Sequence, residues 1–133
     1  MERIYNMSQR NQRIIDLAAL EENMRRIRAA VPPHVKVMAV VKADGYGHGA
    51  VETSTAAIRG GASMLAAASV SEGTQLRNAG ITVPALVLGA VTEDDAAEGV
   101  RENLIQSVCS VNMVQWCEKA AARLGKQTEV HLK

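Results

Sequence analysis

The chain has 133 residues, enough for one domain with its own core and too few for two of ordinary size. Its 15 basic and 14 acidic residues leave a net charge of +1, which excludes a strongly basic nucleic-acid surface and a charged tail. There is no Phe, one Trp (Trp116) and two Tyr (Tyr5 and Tyr46). The core must therefore be aliphatic and alanine-rich, and an aromatic stacking platform for single-stranded nucleic acid is excluded.

Met1 to Asn11 is polar and lacks an apolar h-region, so no secretory signal is expected. No apolar run reaches the roughly 20 residues of a membrane span. A helix is expected next. Asp16 is a good N-cap, and Leu17, Leu20, Met24, Ile27 and Val31 recur at three- and four-residue steps. Pro32 and Pro33 stop it. Val35 to Val41 is a valine-rich apolar run, as in a strand buried on both faces of a parallel sheet.

The pattern then repeats. Gly49 to Arg59 reads as a helix ended by Gly60 and Gly61, and Met64 to Ala68 as a strand. Ser69 and Glu72 form a possible capping box for a helix running to Asn78 and closing at Gly80. Pro84 to Leu88 is another strand. Thr92 and Asp95 form a second capping box, with Glu93 and Asp94 in the first turn, where they suit the helix dipole. Leu104 to Val108 is a strand. Met113, Trp116, Ala120 and Leu124 make the stripe of a last helix ended by Gly125. Thr128 to Leu132 is a final strand. Cys109 and Cys117 fall in different elements and form no CxxC pair, so both are expected as reduced, buried thiols of a cytoplasmic protein.

Five strands alternating with four helices, after one leading helix, imply parallel pairing and right-handed crossovers. Two architectures fit: a doubly wound open sheet, or a piece of a (β/α)8 barrel. A complete barrel needs about 250 residues, so the chain would supply about five of eight strands. It also stops within Val130-His131-Leu132-Lys133, with no turn signal, and is expected to be truncated.

Chemistry concentrates in Ala39-Val40-Val41-Lys42-Ala43-Asp44-Gly45-Tyr46-Gly47-His48-Gly49-Ala50. A buried strand ends in a lysine and meets a glycine-rich turn into a helix. Catalytic groups of parallel α/β folds sit at the C-terminal ends of strands. A lysine there is partly desolvated, which favours the neutral amine that forms Schiff bases. Gly45, Gly47 and Gly49 allow backbone to approach a ligand closely, and helix N-termini favour phosphate. Taken singly, these features also describe a solvated lysine and an ordinary turn, and the glycine spacing is neither a P-loop nor a dinucleotide fingerprint.

AVVKADGYGHGA closely resembles the signature around the cofactor lysine of the alanine racemase family, whose usual form is AVVKA-[DN]-A-YGHG. RIIDLAALEENMRRIR resembles the family's N-terminal segment. SEGTQLRNAGITVPALVLGA is similar to its E-G-x-x-L-R-x-A-G-I segment and the strand that follows, and VHLK to the strand that leads into D-T-G-M-G-R. The four segments keep family order and spacing over nearly the whole chain. The architecture then expected is α/β: a partial (β/α)8 TIM-type barrel with parallel strands, truncated after about five. Residues 1–133 would form the N-terminal part of the cofactor-binding barrel domain, without the C-terminal β-domain.

The resemblance implies a pyridoxal-5'-phosphate-dependent isomerase that interconverts L-alanine and D-alanine for cell-wall precursor supply, a homodimer in its full-length form. Lys42 would carry the cofactor as a Schiff base and act as one of two acid/base groups. Tyr46 would hydrogen-bond the phosphate, and Leu88 would pack near the cofactor. Lys133 matches a family lysine that can be carbamylated and orients an arginine near the substrate carboxylate. His48 belongs to the motif but is expected to be structural, and His34 and His131 show no metal-ligand spacing. The family's second base, a tyrosine from the partner's β-domain, is not in the chain, so one face of the substrate would lack its base.

Two departures stand out. Asn11-Gln12-Arg13-Ile14-Ile15-Asp16 replaces the family's W-x-E-I-D strand, and Gly45 replaces the usual alanine, which should loosen the turn without abolishing it. The alternatives are another pyridoxal-phosphate enzyme on the same barrel (a serine racemase or an amino-acid decarboxylase), a non-catalytic cofactor-binding protein, or an inactive fragment whose open strand edges invite association.

Overall fold

A computed structural model describes residues 13–133; the readings made on Met1 to Asn11, including Tyr5, lie outside the described residues. Helix α1 is Leu17–Ala30, and the Asp16 carboxylate caps it by accepting from the Ala19 backbone N at 3.0 Å. Strand β1 is Met38–Val40. It is shorter than the apolar run that announced it, because Pro32 to Val35 form a turn closed by a Val35 N to Pro32 O bond of 3.0 Å. A one-turn element, α2 (Lys42–Gly47), leads into α3 (Ala50–Arg59) and β2 (Met64–Ala67). Then follow α4 (Val70–Asn78), β3 (Ala85–Val87), α5 (Glu93–Arg101), β4 (Ile105–Val108), α6 (Val111–Leu124) and β5 (Val130–Leu132).

The five strands pair in the order β1-β2-β3-β4-β5, every pair parallel. That order settles the architecture. A doubly wound sheet starts in the middle and reverses, whereas a sheet that always steps the same way is the opening arc of a (β/α)8 barrel. Among the described residues β1 and β5 are the edges, each paired on one side, so the sheet is open.

Strand alternation sorts the side chains onto two faces. Ala39, Leu65, Ala85, Val87 and Val108 pack against the helices in the main core, with Leu76, Leu104 and Cys117. On the opposite face, Ala66, Leu86 and Ile105 form a second cluster with Met38, Met64 and Leu88, drawn from strands and strand ends alone. This is the face that would line a barrel interior. At the edge, Val40 keeps 41% of its surface exposed.

Small residues let the layers approach. A β-carbon on Gly73 would stand 2.6 Å from Leu104 Cδ1, and one on Gly99 would stand 2.7 Å from the Gln106 amide. The capping box of α5 closes as its sequence promised, with Thr92 and Asp95 exchanging side-chain bonds. The stripe of α6 is shifted: Met113, Cys117, Ala120 and Ala121 are buried, whereas Leu124 is 44% exposed. Trp116 only flanks the main core. The two cysteines also part company, Cys117 being buried and Cys109 exposed. Cys109 follows the last residue of β4, where the strand ends open to solvent.

Candidate functional site

Four residues after Lys42 give the site its shape. Ala43, Asp44, Gly45 and Tyr46 all have positive φ, between 52° and 61°, with ψ between 37° and 51°. The element written as α2 is therefore a left-handed turn, where a glycine-rich bend was expected. For L-residues that conformation costs about 1–2 kcal/mol each, and only Gly45 escapes the penalty. Backbone strain of this kind persists only where its surroundings over-determine it, and it clusters at functional sites.

The surroundings can be named. Gly45 N donates to Val41 O at 2.8 Å, and Gly49 N to Asp44 O at 2.9 Å. The Asp44 carboxylate accepts from Ala50 N at 2.8 Å, so it caps α3 from within the turn. His48 Nδ1 lies 3.0 Å from Gly45 O. On the other side, Glu72 Oε1 accepts from Ala43 N at 2.9 Å and Glu72 Oε2 from Ala68 N at 2.7 Å. Hydrogen bonds to charged groups are worth about 1.5–3 kcal/mol, so the two carboxylates together are of the size needed to hold the turn.

Glu72 corrects one expectation. Ser69 does cap α4, accepting from Glu72 N at 3.3 Å, but the return half of the box does not form. The Glu72 carboxylate instead bridges the ends of β1 and β2. Its partner Ala43 lies 29 residues earlier, and neither Asp44 nor Glu72 had been singled out as part of the site. A Ser-x-x-Glu spacing signals a local cap, and nothing local could reveal the distant acceptor.

Lys42 follows Met38 and Val40 in the alternation and stands at the C-terminal end of β1, half-buried. Among the described residues no ion pair engages it. Leu88, also half-buried, follows the last residue of β3 and packs on the inner-face cluster. Lys42 and Leu88 thus lie at the same end of the sheet, on the same face. Tyr46 sits in the left-handed turn with 60% of its surface exposed. Lys133 is exposed and donates from its backbone N to Val108 O at 3.0 Å, which puts it at the same end of the sheet but on its open edge. Lys42 and Tyr46 therefore follow the end of β1 and Leu88 the end of β3, while Lys133 follows β5, three strands away from β2 in the sheet order.

The N–H groups of Ala43, Gly45, His48, Gly49 and Ala50 already donate within the protein, so the half-buried Lys42 amine and the exposed Tyr46 phenol are the groups of this segment that could meet a ligand. A lysine amine can condense with a carbonyl, and a phenol can donate to an anion.

A family model described as the N-terminal domain of alanine racemase matches residues 15–133. Among curated relatives, an alanine racemase of Methanococcus maripaludis is 43% identical over 119 residues, covering 90% of this chain and 32% of the relative. One of Synechocystis is 44% identical over 120 residues, with the same coverage of both chains. The chain thus spans about a third of the length of the curated relatives it matches. Among solved structures, the alanine racemase of Streptomyces coelicolor superimposes with a TM-score of 0.82 at 35% identity, covering 89% of this chain and 32% of that one. That of Clostridium difficile does so with a TM-score of 0.80 at 33% identity, over 84% of this chain and 29% of that one.

Proposed function

This chain belongs to the alanine racemase family, and we propose on that footing that it carries the cofactor-lysine side of a pyridoxal-phosphate-dependent alanine racemase. The observation that carries the reading is Lys42, set at the mouth of a parallel barrel arc and followed at once by a strained left-handed turn. Pyridoxal phosphate, when bound, supplies the electron sink that makes the substrate Cα–H acidic.

The chain's own residues do the rest. Lys42 Nζ would hold the cofactor by condensing with its aldehyde, with loss of water, and the freed amine would hold or return the proton at Cα on one face. The Tyr46 hydroxyl would donate to the phosphate. Leu88, packed on the inner-face cluster, would give the cofactor an apolar contact at this end of the sheet. Lys133, once carbamylated and therefore anionic, would orient an arginine near the substrate carboxylate in the assembled enzyme.

On this reading residues 1–133 are the N-terminal part of the barrel domain of a cytoplasmic homodimer, and L- and D-alanine are the substrates. Among the described residues no helix is long and apolar enough to cross a membrane. Racemisation needs a group on each face of the substrate Cα. Lys42 serves one, and the other comes from a β-domain tyrosine of the partner.

The test is to mix the chain with pyridoxal phosphate, reduce with borohydride and map the adduct by peptide mass. A stoichiometric adduct on Lys42, lost in Lys42→Ala, supports the reading. Scattered adducts on surface lysines, or none, would overturn it for this chain.

A further inference from the structure

Among the described residues, the carboxylate of Glu72 is the one side chain that reaches the backbone immediately after Lys42 from a different strand–helix unit. One oxygen receives Ala43 N at 2.9 Å, and the other receives Ala68 N at 2.7 Å, at the end of β2. A clamp of this kind ties two neighbouring strand ends together at the level of the lysine. It also satisfies the Ala43 N–H, which opens a stretch with four consecutive positive φ angles. The next residue with a side-chain anchor, Asp44, is tied to its own following helix instead.

We infer that Glu72 is a positioning residue for Lys42: it holds the left-handed turn in register with β2 and so fixes the direction in which the Lys42 side chain leaves the sheet. This rests on the cofactor reading above and adds to it a second-strand carboxylate that touches neither cofactor nor substrate. An ordinary helix cap would need only its own backbone, as Thr92 and Asp95 demonstrate in α5. Glu72 forgoes that closure, and both of its oxygens turn to strand ends. Catalytic side chains have to be held within a few tenths of an ångström, and a supporting hydrogen bond at the adjacent backbone does this directly.

Three variants of the full chain decide the matter. In Glu72→Ala both bonds are lost, and in Glu72→Gln one carbonyl oxygen remains to serve one of the two N–H groups. Arg77→Lys is a control that loosens the fold far from Lys42. Amide hydrogen exchange, read by NMR without cofactor, is expected to accelerate at Ala43 on the order of tenfold or more in Glu72→Ala, the size set by loss of a charge-assisted bond. Exchange at Val41, bonded to Ala66 O, should hold.

Labelling with pyridoxal phosphate and borohydride should then lose its preference for Lys42 over the exposed Lys36, partly in Glu72→Gln and fully in Glu72→Ala. Arg77→Lys should keep the preference even though its thermal midpoint falls. Lys42 selectivity that survives Glu72→Ala, or Ala43 exchange that does not change, overturns the inference while leaving the cofactor reading intact. Absence of selectivity in the unsubstituted chain overturns the cofactor reading first, and the inference with it.

Discussion

Thr53 Oγ1 stands where a β-carbon on Gly45 would have to go: the two would be 2.9 Å apart, with Thr53 Cβ at 3.2 Å. The family's usual residue at this turn is alanine, so the glycine here and the threonine on α3 are matched to each other. The threonine hydroxyl is buried without a hydrogen-bond partner, and nothing polar is lost by removing it.

A double-mutant cycle follows from that contact. Gly45→Ala should destabilise the chain by about 1–3 kcal/mol, from the left-handed φ of 61° and the close contact combined. Thr53→Ala alone should be near neutral, since an unsatisfied hydroxyl contributes little. The double variant should recover part of the loss, with a coupling of at least about 0.5 kcal/mol in urea unfolding. Strict additivity would show that the two positions do not meet.

Arg77 binds four backbone carbonyls around the opposite end of the sheet. Its Nε donates to Glu102 O, Nη1 to Ile81 O and Val83 O, and Nη2 to Asn103 O, at 2.8 to 3.1 Å. Burial pushes its pKa below the ordinary arginine value, partly offset by Glu102. Lysine lacks the planar fork that reaches these acceptors. Arg77→Lys should therefore cost about 2 kcal/mol, and Arg77→Met more, because several carbonyls then lose a charged donor. Equal chemical-denaturation midpoints for wild type and Arg77→Lys would contradict this.

The two thiols should behave oppositely. Exposed Cys109 is expected to react with a disulfide reagent in the folded chain, and buried Cys117 only after unfolding. Burial raises the Cys117 pKa above its ordinary value of 9.0. The sign is fixed by linkage: an acid whose folded pKa is raised contributes stability below its unfolded pKa and loses it as pH climbs through the folded value. The thermal midpoint should thus fall above about pH 9, where the unfolded thiol ionises. Cys117→Ala should show a shallower alkaline fall from a lower starting point. Parallel curves for the two proteins would assign the alkaline loss to other groups.

If Lys42 serves one face only, as proposed, the 133-residue chain should accept the cofactor on Lys42 and yet racemise alanine poorly. Exchange of the alanine Cα proton with deuterated solvent, followed by NMR, should outpace interconversion of the enantiomers. Racemisation as fast as that exchange would mean that a second group on this chain serves the other face.

Much of this was legible in the residues. Alternating apolar runs and caps marked every helix and strand in order, because 3.6- and two-residue periodicities are local properties of the chain. Boundaries moved by a few residues, most at β1, where a proline turn claimed Val35. The α6 stripe shifted onto Cys117 because α6 packs against α5 on one side and the sheet on the other, which its own period does not specify. The lysine after a buried strand, with YGHG beyond it, marked the mouth of the site.

Sequence alone thus determined the α/β alternation, the place of Lys42 at a strand end and the family. Tertiary structure decided three things. It set the strand order, which separates a barrel arc from a doubly wound sheet that the same alternation would serve. It also set the left-handed path after Lys42, which among its four residues suits Gly45 and which hydrogen bonds to Asp44 and Glu72 support. And it gave Glu72 its second partner. Local patterns report what a residue does within one turn or one strand. Which carboxylate meets which N–H across 29 residues depends on the register of β1 against β2, and register exists only once the sheet has formed.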